Sequence, residues 1–264
     1  MNSIVCIKQV PNTNEVKINQ ETGTLIREGI ESIINPDDKN ALEAALEIKE
    51  QVGGKVILLS MGPEQAKAAL KEGLAMGADE AYLLSDRVFG GSDTWATATI
   101  IAAAIEKIGN YDLIFCGRQA IDGDTAQVGP EIAEFLGVPQ VTYAKKIQVN
   151  GDELQVTRFT EDADFVFKVK TPCLITAIKE LNDPRLPTVQ KIFEVYDEKE
   201  DNIQVMTFQD LDVDATQIGL KGSPTNVFRS FVPVKSKNSE IIEGLNEKEK
   251  AKILTEKLKE LNVI

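Results

Sequence analysis

The chain has 264 residues, with 29 basic against 42 acidic side chains, a formal charge of −13 and no histidine. That balance argues against nucleic acid or an anionic membrane as the main partner, and the missing imidazole excludes histidine triads, histidine metal sites and imidazole acid–base chemistry. Three widely separated cysteines without CxxC spacing argue against a disulfide framework or zinc and read as buried, inert thiols.

Ile4 to Ile7 reads as a short buried strand that enters the fold with no export signal before it, so a cytoplasmic location is expected. Lys8-Gln9-Val10-Pro11 follows, and the proline ends the strand, leaving Lys8 near its carboxyl end. Val16 to Ile18 and Thr24 to Ile26 suggest a small hairpin turning at Glu21-Thr22-Gly23. Asn35-Pro36-Asp37-Asp38 starts a helix whose apolar face carries Leu42, Ala45, Leu46 and Ile48, and Gly53-Gly54 ends it.

Val56 to Leu59 is the next buried strand, and Ser60-Met61-Gly62-Pro63 leads into a helix that Gly77 terminates. Ala81 to Leu84 is a further strand, followed by Gly90-Gly91-Ser92-Asp93-Thr94 and a helix over 95–108. Leu113 to Cys116 is another apolar run, and a loop with Gly117 and Gly123 leads to a helix opening at Asp124 or Thr125 and running through Leu136. Four such strands joined by helices require right-handed crossovers and a mainly parallel, doubly wound α/β sheet.

After Gly137 the pattern alternates over 141–149, 153–160 and 164–170, with Asn150-Gly151 as a turn, which predicts an antiparallel hairpin at a sheet edge. Cys173 to Ile178 is one more strand, and beyond Glu180 no regular alternation is visible. A helix over 246–261 with Glu/Lys pairs closes the chain. This divides the molecule into a nucleotide-binding α/β domain over 1–195 and an extended C-terminal arm over 196–264.

Every strand-to-helix junction carries polar or glycine residues at the same end of the sheet: Lys8-Gln9, Asn35 to Asp38, Met61-Gly62, Gly90 to Thr94 and Gly117 to Gly129. Ligands of open parallel sheets settle in the crevice at that end, and free N–H groups at helix N-termini stabilise phosphate. Neither G-x-G-x-x-G after the first strand nor G-x-x-x-x-G-K-[ST] is present, so a standard dinucleotide fold and a P-loop are not indicated. Arg118 offers a charged fork for the same phosphate, and an ordinary capped strand-to-helix connection is the plain alternative.

The segments Ile7 to Pro11, Asn35 to Asp38, Gly73 to Asp79, Gly117 to Gly129 and Leu181 to Pro187 resemble the electron transfer flavoprotein β subunit, in the same order over almost the whole chain. The resemblance implies an α-subunit partner that carries an electron-carrying FAD, and a nucleotide, AMP or a second FAD, held by this chain. By motif, Cys6, the loop Asn35 to Asp38, Met61 and the loop Gly117-Arg118-Gln119-Ala120-Ile121-Asp122-Gly123-Asp124-Thr125-Ala126-Gln127-Val128 would enclose that nucleotide, with the Gly123 to Val128 amides on phosphate. It further implies that residues 182–192 dock onto partner dehydrogenases, with Val189 near the apolar anchor, although Pro187 and Gln190 depart from the AMP-binding pattern.

Val88 to Ala98 is similar to the electron-bifurcating and nitrogen-fixation-type branches, as is Gly219 to Thr225. Gly91, Ser92, Asp93, Thr94 and Thr97 would then supply room and donors for a second FAD. A plain N-cap at Ser92 or Asp93 and a surface turn at 219–225 are the alternatives. The bifurcating reading implies that NADH delivers a hydride to that flavin. One electron goes on to ferredoxin or flavodoxin, and the other passes through the α-subunit FAD to an acyl-CoA or related dehydrogenase. Arg118 would stabilise anionic flavin, and no side chain of this chain would act as acid, base or nucleophile. A β subunit with structural AMP and a stand-alone adenine-nucleotide sensor are the rival readings, the latter disfavoured by the long C-terminal segment.

Overall fold

The computed structural model describes residues 1–12, 17–18, 25–26, 31–197, 202–228 and 239–264. In chain order the elements are β1 Ser3–Cys6, β2 Gln9–Pro11, β3 Lys17–Ile18, β4 Leu25–Ile26, β5 Ser32–Ile34, α1 Pro36–Val52, β6 Val56–Met61, α2 Lys67–Met76, β7 Glu80–Leu84 and α3 Thr94–Ile108. They continue with β8 Leu113–Gly117, α4 Val128–Leu136, β9 Gln140–Asn150, β10 Glu153–Phe159, β11 Asp164–Lys170, β12 Cys173–Ala177, α5 Val189–Val195, β13 Ile203–Met206, α6 Gly219–Gly222 and α7 Glu247–Glu260. The chain forms two compact units, Met1–Phe228 and Arg229–Ile264.

The first unit is built on a nine-stranded sheet in the order β11-β10-β9-β12-β8-β1-β6-β7-β13. β12, β8, β1, β6, β7 and β13 run parallel, and β10 pairs antiparallel with both β9 and β11 at one edge. From β1 the chain moves outward through β6 and β7, then returns to the opposite side of β1 as β8. The direction of winding therefore reverses between β1 and β8, the place where an open parallel sheet leaves a crevice beyond its carboxyl ends. Helices α1 and α2 cover one face, where Leu42, Leu46, Leu70 and Leu74 pack on Val5, Leu58 and Phe115. The opposite face packs under Ile100, Ile101, Ile105 and Ile132 of α3 and α4. Both faces being covered explains why the central strands are apolar at nearly every position, with Ser3, Ser60 and Thr176 the buried polar exceptions.

The antiparallel edge forms as predicted. Several local expectations are corrected. The strand expected to end at Pro11 is broken in two: Val10 is paired with Ile33 in a separate small β2–β5 sheet, with Pro11 at the end of its short strand, where a missing N–H costs little. The β3–β4 pair sets Lys17 opposite Ile26, while the expected turn Glu21-Thr22-Gly23 lies outside the described residues. The helix expected from Asp124 or Thr125 begins only at Val128, because Asp124 and Ala126 have φ of 50° and 54°, incompatible with a right-handed helix. Past Glu180, α5 and a ninth strand appear, β13 lying parallel to β7 with Ile203 opposite Ala81. Residues 203–206 thus belong to the sheet although the sequence reading grouped them with the arm. Their burial, inward only at Ile203 and Met206, carries no period-2 signal.

The second unit carries α7, capped by Asn246, whose side chain accepts from the Glu249 N–H. Of the pairs expected at i,i+4 spacing, Lys252–Glu256 stands at 3.9 Å, while Lys250–Glu247 at 3.4 Å is an i,i+3 pair.

Candidate nucleotide site

The crevice between β1 and β8 is framed by the N-terminus of α1. Pro36 sits at its first position and Asp37 and Asp38 in its first turn, an arrangement that suits the helix dipole. Neither acid simply solvates there. Asp38 accepts the Lys8 N–H at 2.7 Å and the Gly117 N–H at 3.0 Å, so one carboxyl group ties the ends of β1 and β8 together. Burial pushes the Asp38 carboxyl up to about 7, against the pull of hydrogen bonds from Asn35 and those two amides. Gly117 is required by this contact: a Cβ there would stand 2.3 Å from Asp38 Oδ1 and 2.8 Å from the Asp37 carbonyl carbon.

Asn35, a residue type suited to capping, makes no side-chain cap. Its Nδ2 donates to the Gln119 carbonyl at 2.8 Å and its Oδ1 accepts from the Ile121 N–H at 3.0 Å, clamping the loop after β8. Lys8 Nζ reaches both oxygens of Asp122, at 2.8 and 2.9 Å, and Gln119 Nε2 donates to Asp124 at 2.9 Å. The loop is therefore fixed by Asn35 and Lys8 from outside and braced within by Gln119 and Asp124.

Within it, the Gly123 and Asp124 N–H groups both turn back onto the Ala120 carbonyl, so these two of the expected phosphate donors are spent. The N–H groups of Thr125, Ala126, Gln127, Val128 and Gly129 donate to no acceptor among the described residues. Five adjacent N–H groups without an acceptor at the start of α4 are the arrangement that helix N-termini offer to anions. Arg118 is less available than expected, because its guanidinium Nε stands 3.4 Å from Asp37 Oδ2. Burial raises the Asp37 carboxyl above its ordinary value, and the Arg118 charge opposes that rise. Cys6 lies at the end of β1, packed with Met61 on the α3–α4 face, and the Gly62 N–H is bonded to Leu84.

The junction before α3 is organised differently. Asp93 caps α3 through the Ala96 N–H and also accepts the Thr225 N–H and hydroxyl, both at 2.8 Å. Burial works to raise its carboxyl, but these hydrogen bonds win and hold it below the usual range. Ser92 donates to the Phe89 carbonyl and accepts the Gly219 N–H, and Ser223 accepts the Asp93 N–H. The 219–225 segment is thus clasped onto Gly90 and Gly91, so close that a Cβ on Gly219 would stand 2.1 Å from the Val88 carbonyl oxygen. Ser92 and Asp93 serve this clasp. Thr94 faces the other way, its hydroxyl 3.3 Å from Gln127 Oε1 and 3.2 Å from Glu131 Oε1, so the starts of α3 and α4 adjoin. Burial raises the Glu131 carboxyl. Thr97 lies in the first turn of α3.

Sequence reasoning missed Glu131, Thr176 and Glu43. Thr176, on β12, accepts the Tyr143 N–H, and its methyl would meet a Cβ on Gly129 at 2.9 Å. Glu43 is buried on α1 and accepts the Arg185 backbone N–H and guanidinium, while Asn40 and Asn182 exchange hydrogen bonds. An acid within the apolar stripe of α1 was the available signal for it. These bonds fix the loop at 182–186, beyond which Leu186 is 85% exposed, Val189 71% and Phe193 75%.

A family model described as the electron transfer flavoprotein domain matches residues 22–209. The chain is 58% identical to the electron transfer flavoprotein subunit beta of Thermoanaerobacterium thermosaccharolyticum over 264 residues, covering all of both chains. It is 52% identical to the caffeyl-CoA reductase-Etf complex subunit CarD of Acetobacterium woodii, again over both whole chains. With protein FixA of Azorhizobium caulinodans it shares 43% identity, covering 88% of this chain and 85% of the relative. The chain belongs to the electron transfer flavoprotein β-subunit family, whose role is electron transfer alongside an α subunit. No helix among the described residues is long and apolar enough to cross a membrane.

Proposed function

We propose that this chain is the β subunit of an electron-bifurcating flavoprotein and holds a second FAD in the crevice between β1 and β8. The observation that carries the reading is the adjacency of two helix N-termini: the unpaired amides over 125–129 opening α4, and Thr94 opening α3 within reach of Gln127. One such end suffices for the single phosphate of AMP, whereas a diphosphate and its polyol chain call for more donors. The residues present fit such a group, since Gly117 brings backbone close and Asn35 and Lys8 fix the loop that presents the amides.

In this reading the amides over 125–129 bind the phosphates, and Asn35, Asp38 and Lys8 hold the rim in shape. Thr94, Thr97 and Gly91 lie toward the flavin end, with Met61, Gly62 and Cys6 along the strand ends. Bound FAD would supply the redox chemistry, hydride uptake from NADH and single-electron delivery to ferredoxin or flavodoxin and to the α-subunit FAD. The exposed Leu186, on the loop anchored to α1, and Val189 and Phe193, on the following helix α5, form the apolar surface for an acyl-CoA-type dehydrogenase. Two relatives point the same way by name, one a subunit of a caffeyl-CoA reductase-Etf complex and the other an electron transfer subunit of acryloyl-CoA reductase. A cytoplasmic setting is part of this proposal. The C-terminal unit serves as the arm that packs on the α subunit.

A second reading rests on its own observation. Ser92 and Asp93, expected as donors to flavin, are both committed to the 219–225 segment, which favours structural AMP. Extraction of the purified α–β complex separates the two. Two FAD per heterodimer supports the proposal, whereas one FAD with one AMP establishes the second reading.

A further inference from the structure

Two thiols stand at the crevice, and neither Cys6, which lines its strand ends, nor Cys116 has a chemical role in the reading above. β1 and β8 are paired in parallel with Val5 opposite Phe115, which makes the next residues, Cys6 and Cys116, neighbours across the two strands. Both side chains face the α3–α4 side, Cys116 buried there with Ile4 and Ile114, and Cys6 packed against them. The Cys6 thiol is the neighbour that most strongly raises the Cys116 thiol. Adjacent strands lie about 4.8 Å apart, inside the range of about 4.4–6.8 Å between Cα atoms that a disulfide spans. Cys6 is partly exposed at the open end of the sheet, while Cys116 is 6% exposed. Cys173 is fully buried in the opposite core at the far end of β8, opposite Leu113.

We propose that Cys6 and Cys116 are a paired oxidation site, closed to a cross-strand disulfide by a hydroperoxide. The Cys6 sulfur attacks the peroxide O–O bond and takes one oxygen as a sulfenic acid, and the other oxygen leaves as water. The Cys116 sulfur then displaces that hydroxyl, which takes the Cys116 proton and departs as a second water. The two thiols lose two electrons and two protons in all, and hydrogen peroxide is reduced to two waters. The order follows from access, since Cys6 reaches solvent and Cys116 does not. The Cys6 thiol and burial raise the Cys116 thiol well above its ordinary value, so it resists direct oxidation. The pairing rests on the register of β1 and β8 and on the partial exposure of Cys6, not on which nucleotide the chain binds.

The test treats the purified α–β complex with hydrogen peroxide and maps tryptic peptides without reduction. Oxidation should link the peptide over residues 1–8 to the peptide over residues 108–118, with a mass two hydrogens below their sum, while Cys173 stays reduced. In Cys116→Ala the link is lost and dimedone labels Cys6. In Cys6→Ser, Cys116 remains a thiol under the same dose. Overoxidation of Cys6 with no linked peptide in the unsubstituted complex overturns the proposal, as does oxidation of Cys173 at the same rate.

Discussion

The two junctions that open α4 and α3 look alike as sequence, each a glycine-containing polar loop after a buried strand, yet they are built on opposite plans. The loop after β8 is held from outside by Asn35, Lys8 and Asp38, and its own amides over 125–129 remain unpaired. The loop before α3 spends its hydroxyl and carboxylate groups on residues 219–225 and leaves Thr94 facing the first loop. A binding loop keeps its donors free by letting other elements fix it. A loop that satisfies itself with a distant segment acts as a fastening, and a ligand there must use what remains.

Removing the external support should have the largest effect. Asp38→Ala leaves the Lys8 and Gly117 N–H groups without their acceptor, at a cost of about 1–3 kcal/mol for a buried unpaired donor, readable in chemical denaturation. Its pH dependence has a definite sign. The Asp38 carboxyl titrates at about 7 in the fold against an ordinary value of 3.8, so its contribution is fully present below the ordinary value and is lost as pH rises through about 7. The stability advantage of the unsubstituted chain over Asp38→Asn should therefore shrink across that window, and a constant difference would refute the assignment.

Gly117→Ala should come next. The added methyl meets the buried Asp38 carboxylate at 2.3 Å and the α1 backbone at 2.8 Å, and overpacking of this kind costs about 1–3 kcal/mol. Nucleotide retention in the purified complex should fall with it. Gly123→Ala is the contrast, because a Cβ there meets nothing within 4 Å, so retention should be unchanged.

At the second junction, Asp93→Ala removes the α3 cap, worth about 1 kcal/mol, together with the Thr225 anchor. Proteolysis should then cut within 219–225 while the phosphate end stays occupied. Loss of all bound nucleotide in this variant would erase the distinction between the two loops.

Much of this was legible in the sequence, and the rest was hidden for physical reasons. Continuous apolar runs marked β1, β6, β8 and β12, because strands covered on both faces show no polar side. The Asn35-Pro36 start and the Gly53 stop placed α1. β13 escaped because it is short and half-exposed. The late start of α4 escaped because it depends on positive φ at Asp124 and Ala126, conformations that neither residue type announces in a sequence. The site residues were named as a set, but their division of labour was not. Ser92 and Asp93 read as ligand donors until residues some 130 positions away are seen bonded to them, a partner no local pattern announces.

Deuterium uptake by the backbone amides of residues 119–131 in the purified complex, with its adenine nucleotide bound and after its removal, tests the central claim most directly. The account predicts that the Thr125 to Gly129 amides exchange slowly with nucleotide bound and quickly without it. Equal exchange in the two states would contradict it.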